Sequence, residues 1–456
     1  MRIPLKTRIG IVLGLLMAVV VGGCRTVSEP DFRDVIVRAK SEVFPTLVYI
    51  RVVREALESG KDEKQVVSGS GVVISPDGEL LTNHHVVDKA TEIRCQLADG
   101  TAYTAKKIGE DKDLDVALLK LERPADAQPL AYARLSPDTL QIGDVVLAMG
   151  APWGLARSVT MGIVSCTDRH LEGAGEYTLW YQTDASISPG NSGGPLVDTH
   201  GRVVGLNTRG IMFGGQAFTI PSTTILEVLP RLREFGDGHW AWFGFKFQPL
   251  HDFNHNIYFP AETGVIVSDA EAGSPARKAG FLSNDRIVSV DGAPVTVLNN
   301  EDLPAFRRRL GRIDFGKTVE FGIVRGETNL VLRTAPCEKG RVEGVQKAFE
   351  RWGFTAKEIN RFENPELSFF APDGGVFVAA VAWDGNAWTS GLKEKDILLS
   401  WNGKTVKTVA ELESIYKQAL EELPGKSRAN LEVMRRGRKT QIVLNYLEDT
   451  EKEVLE

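Results

Sequence analysis

At 456 residues the chain is too long for one ordinary domain, and about three domains are expected. A hydrophobic content of 43% and a charged content of 25% are typical of globular proteins. The net charge of −6 argues against a nucleic-acid partner, and four scattered cysteines without a C-x-x-C pair give no metal-site pattern.

The amino-terminal segment, residues 1–24, is typical of an export signal. Three basic residues precede an uncharged run of 13 residues, 9–21, which has the length of a signal-peptide core and is short for a membrane span. Small residues before Cys24 resemble a bacterial lipobox. We therefore expect cleavage before Cys24 and lipidation of its thiol; an ordinary signal peptide with an incidental cysteine is the alternative. Both place the protein in the periplasm or cell envelope, and residues 25–40 then form a tether.

Residues 41–237 show the pattern of a β-rich domain. Short runs rich in Val, Ile and Tyr, such as 44–53 and 66–75, alternate with turn signals such as Asp99-Gly100. Many short strands of this kind predict β-barrels or sandwiches. Residues 223–235 predict an amphipathic helix that closes the unit. Whether Cys95 and Cys166 pair stays open.

An internal repeat follows. Five positions recur 111 residues later: Gly280, Asp285, Ser289, Gly292 and Val295 correspond to Gly391, Asp396, Ser400, Gly403 and Val406. Each copy is preceded by an aromatic-Gly-aromatic triplet. The repeat predicts two copies of one domain, at residues 240–337 and 345–447.

The most informative stretch is T-D-A-S-I-S-P-G-N-S-G-G-P-L at residues 183–196. Its glycines permit backbone conformations that aim consecutive N–H groups into one concavity beside Ser192. Acyl transfer needs this arrangement, with a nucleophile next to preorganised donors for an oxyanion.

A serine nucleophile also needs a base and an orienting acid. His85, in T-N-H-H-V-V, and Asp115, at the start of a buried-type strand, are the candidates, and their order His…Asp…Ser has spacings of 30 and 77 residues. This order is that of the chymotrypsin-type arrangement. His84 is the rival for the base and is expected in a loop. Asp111 and Asp113 are the rivals for the acid.

These stretches together resemble the HtrA (Deg) family of serine proteases. The matching segments are S-G-S-G-V-V-I-S (68–75), L-T-N-H-H-V-V (81–87), D-L-D-V-A-L-L-K-L (113–121), the serine stretch, G-L-N-T (205–208) and A-F-T-I-P (217–221). The resemblance implies a mainly β fold, in which a chymotrypsin-like double β-barrel precedes two α+β PDZ-like domains. It also implies a serine endopeptidase without a cofactor, assembled as a homotrimer.

The resemblance assigns roles by position. Ser192 is expected to attack the scissile carbonyl, His85 to accept its proton, and Asp115 to hold the imidazole. The N–H groups of Gly190 and Ser192 are expected to form the oxyanion hole, with Asn191 shaping the turn. The small or apolar residues expected to line the specificity pocket are Ile187, Leu206, Asn207, Thr208 and Ala217. With Ser186 at the position of the trypsin-type acid, we expect cleavage after small aliphatic residues.

The two C-terminal copies resemble PDZ domains, which bind peptides with free C-termini. Their proposed carboxylate-binding loops are Phe243-Gly244-Phe245 and Trp352-Gly353-Phe354. The expected substrates are unfolded or misfolded envelope proteins. Two alternatives stay open: a chaperone or PDZ scaffold with a silent protease domain, and a regulatory protease for one signalling substrate. Either PDZ copy could also have lost peptide binding.

Overall fold

The computed structural model describes residues 32–448, except 58–59, 62, 153–156, 172–174, 212–215 and 372–373. The predicted signal segment and the predicted lipidation site, Cys24, lie outside the described residues. Within the described part of the chain, no helix combines the length and the apolar character needed to cross a bilayer.

Two closed six-stranded antiparallel barrels form the first unit, as the alternation of short strands and turns predicts. The first barrel contains β1 (Leu47–Ala56), β2 (Glu63–Val73), β3 (Glu79–Thr82), β4 (Ala90–Gln96), β5 (Ala102–Asp111) and β6 (Val116–Leu121), in the order β1-β2-β3-β6-β5-β4. The second contains β7 (Val145–Gly150), β8 (Ser158–Arg169), β9 (Trp180–Thr183), β10 (Pro195–Asp198), β11 (Val203–Ile211) and β12 (Gln216–Pro221), in the order β10-β11-β12-β9-β8-β7.

Three helices accompany the barrels: α1 (Phe32–Val43), α2 (His84–Val87) and α3 (Ser222–Phe235). Helix α3 buries Ile225, Val228 and Leu232 at helical spacing, and it is capped after Phe235 by Gly236, whose φ of 81° is left-handed. Residues 32–40 were expected in a tether, but they belong to α1. Ala39 is buried there with Met149 of the second barrel, so this part of the chain packs on the barrels.

Two smaller units follow, and the elements of the first are β13 (Ala241–Trp242), β14 (Phe245–Gln248), β15 (His251–Asp252), β16 (Ile257–Tyr258), β17 (Val265–Ala270), α4 (Pro275–Lys278), β18 (Arg286–Val290), β19 (Ala293–Pro294), α5 (Leu303–Gly311), β20 (Val319–Arg325), β21 (Thr328–Thr334) and β22 (Cys337–Glu338). The elements of the second are β23 (Gln346–Phe349), β24 (Phe354–Glu358), α6 (Pro365–Ser368), β25 (Val376–Val381), α7 (Asn386–Thr389), β26 (Ile397–Trp401), β27 (Lys404–Thr405), α8 (Val409–Glu421), β28 (Arg428–Arg435) and β29 (Arg438–Asn445).

The sheets of these two units have corresponding strand orders, β14-β17-β18-β20-β21 and β24-β25-β26-β28-β29, and the second sheet has one additional strand, β23, beside β24. The repeat is also visible in an ion pair. Arg325 binds the buried carboxylate of Asp285, with its Nε 2.7 Å from Oδ1, and Arg435 binds Asp396 in the same way, also at 2.7 Å. The repeated aspartate therefore anchors the same pair of strands in both units.

Polar contacts join the smaller units to the barrels. Trp240 Nε1 donates to Asp111 Oδ2 at 2.7 Å, Arg312 Nε donates to Glu227 Oε1 at 2.6 Å, and Thr355 Oγ1 donates to the carbonyl of Leu57 at 2.6 Å. The cysteines at 95, 166 and 337 are free thiols, so the possible pairing of the first two is not formed.

Candidate active site

Residues from both barrels meet at the candidate active site. His85 lies in α2, just after β3, and Asp115 lies in the turn that leads into β6. The His85 ring Nδ1 is 2.8 Å from Asp115 Oδ2, and the His85 backbone N–H donates to Asp115 Oδ1 at 3.0 Å. The side chain of His85 is 46% exposed while that of Asp115 is 11% exposed. The imidazole therefore has one nitrogen held by a buried carboxylate and faces solvent on its other side.

The backbone of Asp115 adopts a left-handed conformation, with a φ of 58°. Its carbonyl accepts hydrogen bonds from Asn83 Nδ2 at 3.0 Å and from the backbone N–H of His84 at 3.2 Å. These bonds hold a conformation that is rare for a residue with a side chain.

The carboxyl group of Asp115 stays ionised despite its burial. Burial alone would raise its pKa, but the hydrogen bonds from His85 and Thr208 outweigh that effect and hold the pKa below its ordinary value. A carboxylate in this state fixes one tautomer of the imidazole and stabilises an imidazolium.

Thr208, in β11 of the second barrel, joins the aspartate to the serine. Its Oγ1 donates to Asp115 Oδ2 at 2.5 Å, and its carbonyl accepts from Ser192 Oγ at 2.7 Å. The structure therefore brings His85 and Asp115 into direct contact and connects Ser192 to Asp115 through Thr208, while among the described residues Ser192 Oγ makes no hydrogen bond to the His85 ring. The hydroxyl proton of Ser192 points to Thr208 in this structure.

The turn that carries Ser192 leaves two amides free. Asn191 N–H donates to the carbonyl of Ser188 at 3.0 Å, with Pro189 and Gly190 at the two central positions; the φ of 95° at Gly190 fits this turn. Among the described residues, neither the Gly190 N–H nor the Ser192 N–H donates to a carbonyl or side chain. Two unengaged amides beside a serine hydroxyl have the arrangement needed for an oxyanion.

Ser70, on β2, was missed by the sequence reasoning, although it lies in the S-G-S-G-V-V segment. It is fully buried, its N–H donates to the Ser192 carbonyl at 2.8 Å, and its Oγ donates to the Gly190 carbonyl at 2.6 Å. The same Oγ accepts the Ala151 N–H at 2.8 Å. Ser70 therefore orients two peptide groups of the serine turn from the opposite barrel. No local sequence signal marks this role.

The rival residues have other partners. His84, expected in a loop, begins α2 instead, is buried and binds Glu110, with its Nδ1 2.9 Å from Oε2. Asp111 accepts from Trp240, and burial raises its pKa to about 6. Asp113 binds Lys339, with its Oδ2 2.7 Å from Nζ. None of these three rivals binds the His85 ring.

The five residues expected to line a specificity pocket divide into two groups. Leu206 belongs to the interior cluster of the barrels, and the Asn207 side chain donates to the Pro195 carbonyl at 3.0 Å. Ile187 is half-buried against the core of the second barrel, while Ala217 and Thr208 are buried in β12 and β11. The pocket itself stays a prediction. Because Leu206 and Asn207 make contacts inside the barrel, they do not line a pocket as expected and would lie behind its wall.

The first aromatic-Gly-aromatic loop has free amides. Gly244 has a φ of 83°, and a Cβ on it would lie 2.1 Å from Ser274 Cβ, so only glycine fits. Within the described residues, neither Phe243 N–H nor Gly244 N–H has an acceptor. Strand β14, which follows through Phe245, is an edge strand beside a cleft of about 1190 Å³.

The second loop is different. Residues 350–352 form a 3₁₀ turn, and the Gly353 N–H donates to the carbonyl of Phe349 at 2.8 Å. Trp352 is fully buried, and Phe354 pairs with Phe349 across β24 and β23. The expected carboxylate-binding amide of Gly353 is thus already engaged within the chain.

Comparisons with known proteins agree with this architecture. Residues 69–206 match the trypsin-like peptidase domain family, and residues 242–335 match the PDZ domain family. The chain is 32% identical over 364 residues to the periplasmic serine endoprotease DegP of Escherichia coli (strain K12), covering 78% of this chain and 73% of that relative. It is 34% identical to a probable periplasmic serine endoprotease DegP-like of Ectopseudomonas mendocina (strain ymp), covering 85% of this chain and 82% of the relative.

Solved structures show the same likeness. The HtrA-type protease AlgW with tripeptide superposes with a TM-score of 0.58 at 30% identity, covering 68% of this chain and 98% of that one. The serine endoprotease from Yersinia pestis gives a TM-score of 0.53 at 28% identity, covering 68% and 98%.

Proposed function

The chain belongs to the HtrA/Deg family of trypsin-like serine endopeptidases with a PDZ domain, and from this premise we propose that it degrades misfolded or damaged envelope proteins without ATP. Its relatives are named periplasmic serine endoproteases. The observation that carries the proposal is the hydrogen-bonded series His85–Asp115–Thr208–Ser192 at the junction of the two barrels.

In the proposed mechanism, Ser192 attacks the scissile carbonyl and His85 accepts its proton, then delivers it to the leaving amine. Rotation of the Ser192 hydroxyl from the Thr208 carbonyl towards the imidazole precedes attack. Asp115 remains ionised throughout and stabilises the imidazolium. The support for this step is the lowered pKa of Asp115.

The developing oxyanion is bound by the N–H groups of Gly190 and Ser192, which have no competing acceptor among the described residues. Asn191 supports the turn, because it is buried and its N–H closes the bond to Ser188. Removal of one oxyanion donor typically costs about 10²–10³ in kcat.

We propose that Ile187, Thr208 and Ala217 border the pocket for the residue before the cut, supported by Leu206 and Asn207. These side chains are small or apolar, and Ser186 replaces an acid, so the pocket favours small aliphatic side chains. A set of peptides differing only at this residue tests it: faster cleavage after Lys or Arg than after Val or Ala would contradict the assignment.

The first PDZ-like unit is proposed to bind the free C-termini of substrates or regulators. An extended peptide would add to the edge of β14, with its carboxylate at the amides of Phe243 and Gly244, next to Phe245. The cleft beside this edge is lined by Phe247 and Leu303.

Cys24 is proposed to carry a lipid anchor in the envelope, and the protein is proposed to form homotrimers; both proposals rest on the sequence resemblance. Mass spectrometry of the mature N-terminus tests the anchor, since an unmodified Cys24 would exclude it. Light scattering on detergent-solubilised protein gives the assembly, and a monomeric mass would exclude the trimer.

Casein hydrolysis by the wild type and by Ser192→Ala is the decisive experiment. We expect degradation by the wild type without added nucleotide and none by the variant. Equal rates in a clean preparation would end the protease proposal and leave a chaperone or PDZ scaffold.

A regulatory protease is the second candidate, because the cleft beside β14 also contains Asp113 and Glu176 of the protease unit. A peptide bound in this cleft would lie beside Asp113, which is two residues before Asp115 in the sequence. Titration of peptides with free C-termini during turnover tests this role; unchanged turnover at saturation would remove it.

A further inference from the structure

The two PDZ-like units differ at the edge of the sheet where peptides add. In the first unit β14 is the end of the sheet, but in the second unit β23 lies antiparallel to the corresponding strand, β24. The paired residues run from Gln346 opposite Lys357 to Phe349 opposite Phe354. The edge of β24 is therefore covered by four residues of the same chain.

Helix α8 flanks the other side of this segment. The ring of Phe349 makes an edge contact with Tyr416, with ring centroids 5.3 Å apart, and Lys347 Nζ is 2.8 Å from Glu413 Oε1. Both partners lie on α8. Residues 346–349 thus occupy the groove between a sheet edge and a helix, which is where a peptide would lie in such a domain.

The last residue of the segment has the two contacts that a peptide terminus needs. Phe349 is fully buried and stacks on Trp352, with ring centroids 5.3 Å apart. Its carbonyl accepts the Gly353 N–H at 2.8 Å. A bound peptide is held through a terminal side chain in a pocket and a terminal carboxyl group at backbone amides; here one residue supplies the side chain, and its carbonyl stands in for the carboxyl group.

The corresponding segment of the first unit has a different position. Residues 237–240 precede the first loop at the spacing by which residues 346–349 precede the second. Trp240 does not enter a groove there: its Nε1 donates to Asp111, and its ring stacks on Tyr177, with centroids 4.3 Å apart. The first groove is left open because this segment packs on the protease unit.

We propose that the groove between β24 and α8 is a peptide-binding site whose ligand is the chain's own segment 346–349. The ligand class is an extended segment that ends in an aromatic residue. Because the segment is covalently attached, its effective concentration is on the order of millimolar, so a free peptide at micromolar concentration is excluded. Substrate tails at such concentrations are then kept out of the second unit. This inference does not require the first unit to bind peptides.

The test uses the full chain with Ser192→Ala, so that the probe is not cleaved. The probe is a synthetic peptide with the sequence of residues 342–349, V-E-G-V-Q-K-A-F, with a free C-terminus and a photo-crosslinker at its N-terminus. Mass spectrometry locates the cross-links. We expect none within residues 352–416 until Phe349→Gly is added, after which they form there and the affinity at this site rises at least tenfold.

Lys347→Glu is a second opening variant, since it reverses the contact with Glu413 without removing the buried ring. Leu431→Ala is the matched control: Leu431 is fully buried in the same unit but lies on β28, so this variant should gain no cross-links. Hydrogen exchange verifies that β24–β29 stay folded.

The proposal would be overturned if residues 352–416 cross-link equally in the Ser192→Ala protein and in the same protein carrying Phe349→Gly or Lys347→Glu. Absence of cross-linking in both opened variants while β24–β29 remain protected from exchange would also overturn it. Cross-links within residues 242–335 bear on the proposed function of the first unit and leave this inference unaffected.

Discussion

At the scale of single residues, Thr208 makes a contact that was not predicted: it was expected to line the specificity pocket, and its Oγ1 also donates to Asp115. We expect Thr208→Val, which keeps the carbonyl and the side-chain volume, to lower kcat by about tenfold to a hundredfold with little change in KM. A hydrogen bond to a charged group is worth about 1.5–3 kcal/mol, and its loss leaves Asp115 less firmly ionised. Steady-state kinetics on a defined peptide measures it.

Thr219→Val is the matched control for this variant. Thr219 is fully buried in the same barrel, and its Oγ1 donates to Asn207 at 3.2 Å rather than to Asp115. It should lose stability and keep kcat. An equal loss of kcat in both variants would show that Thr208 acts only through packing.

The pair His84–Glu110 predicts a pH-dependent contribution to stability. Burial opposes the charge of His84, but Glu110, Asp88 and Asp115 raise its pKa above 6.5; burial likewise opposes the charge of Glu110, but His84 and Lys107 lower its pKa below 4.5. The stabilisation contributed by the charged His84 is fully present below pH 6.5 and is lost as pH rises through the raised pKa of His84. The stabilisation contributed by the ionised Glu110 is fully present above pH 4.5 and is lost as pH falls through the lowered pKa of Glu110.

We therefore expect the difference in free energy of unfolding between the wild type and Glu110→Gln to be largest between pH 4.5 and 6.5 and to shrink on both sides. Urea titrations at pH 5.5, 7 and 9 measure it. A difference that grows from pH 5.5 to pH 9 would contradict the assignment.

At the scale of elements, the serine turn depends on a glycine that two strands enclose. A Cβ on Gly193 would lie 2.2 Å from the Ser70 carbonyl and 2.2 Å from Thr82 Oγ1, and the φ of Gly193 is 82°. We expect Gly193→Ala to displace the turn and lower kcat/KM by at least about 100-fold, as the loss of an oxyanion donor does. The same peptide assay measures it.

Gly100→Ala separates backbone strain from this enclosure. Gly100 has a similar φ of 89°, but nothing lies within 4 Å of its added Cβ. This variant should lose about 1 kcal/mol of stability and keep its activity. Equal kinetics for the two variants would mean that the turn tolerates displacement.

The strand-rich barrels and helix α3 could be predicted from the sequence, because they follow from local alternation and from motif stretches. The roles assigned to His85, Asp115 and Ser192 stay predictions, supported by the contacts of Asp115 with His85 and Thr208. Ser70 could not be assigned, since its role depends on a contact between strands of opposite barrels. The position of β23 was also missed. Its four residues, Gln346 to Phe349, carry no strong strand pattern, and their pairing depends on a groove built by β24 and α8.

At the scale of the molecule, Lys339 connects the three units. It follows β22, between the two PDZ-like units, and its Nζ is 2.7 Å from Asp113 Oδ2 and 3.3 Å from Glu176 Oε2. The ammonium group also lies over the ring of Phe362 in the second PDZ-like unit, 5.2 Å from its centroid. Burial alone would lower the pKa of Lys339, but Tyr177, Asp113 and Glu176 outweigh that effect and raise it, so the buried cation stays charged.

Because Asp113 is two residues from Asp115 in the same turn, removal of the Lys339 charge should also affect the position of Asp115 and therefore kcat. Lys339→Met removes the charge but keeps an unbranched apolar stem, and it leaves the half-buried carboxylate of Asp113 without its cationic partner, at a cost of about 1–3 kcal/mol. We expect a lower unfolding temperature and a lower kcat, both partly restored by adding Asp113→Asn, which removes the uncompensated charge.

Lys404→Met, at an exposed lysine of the second PDZ-like unit, is the control and should change neither quantity. If the single and double variants instead show additive losses of kcat, the Lys339 ammonium group and Asp113 are not coupled, and Lys339 does not stabilise the turn that carries Asp115.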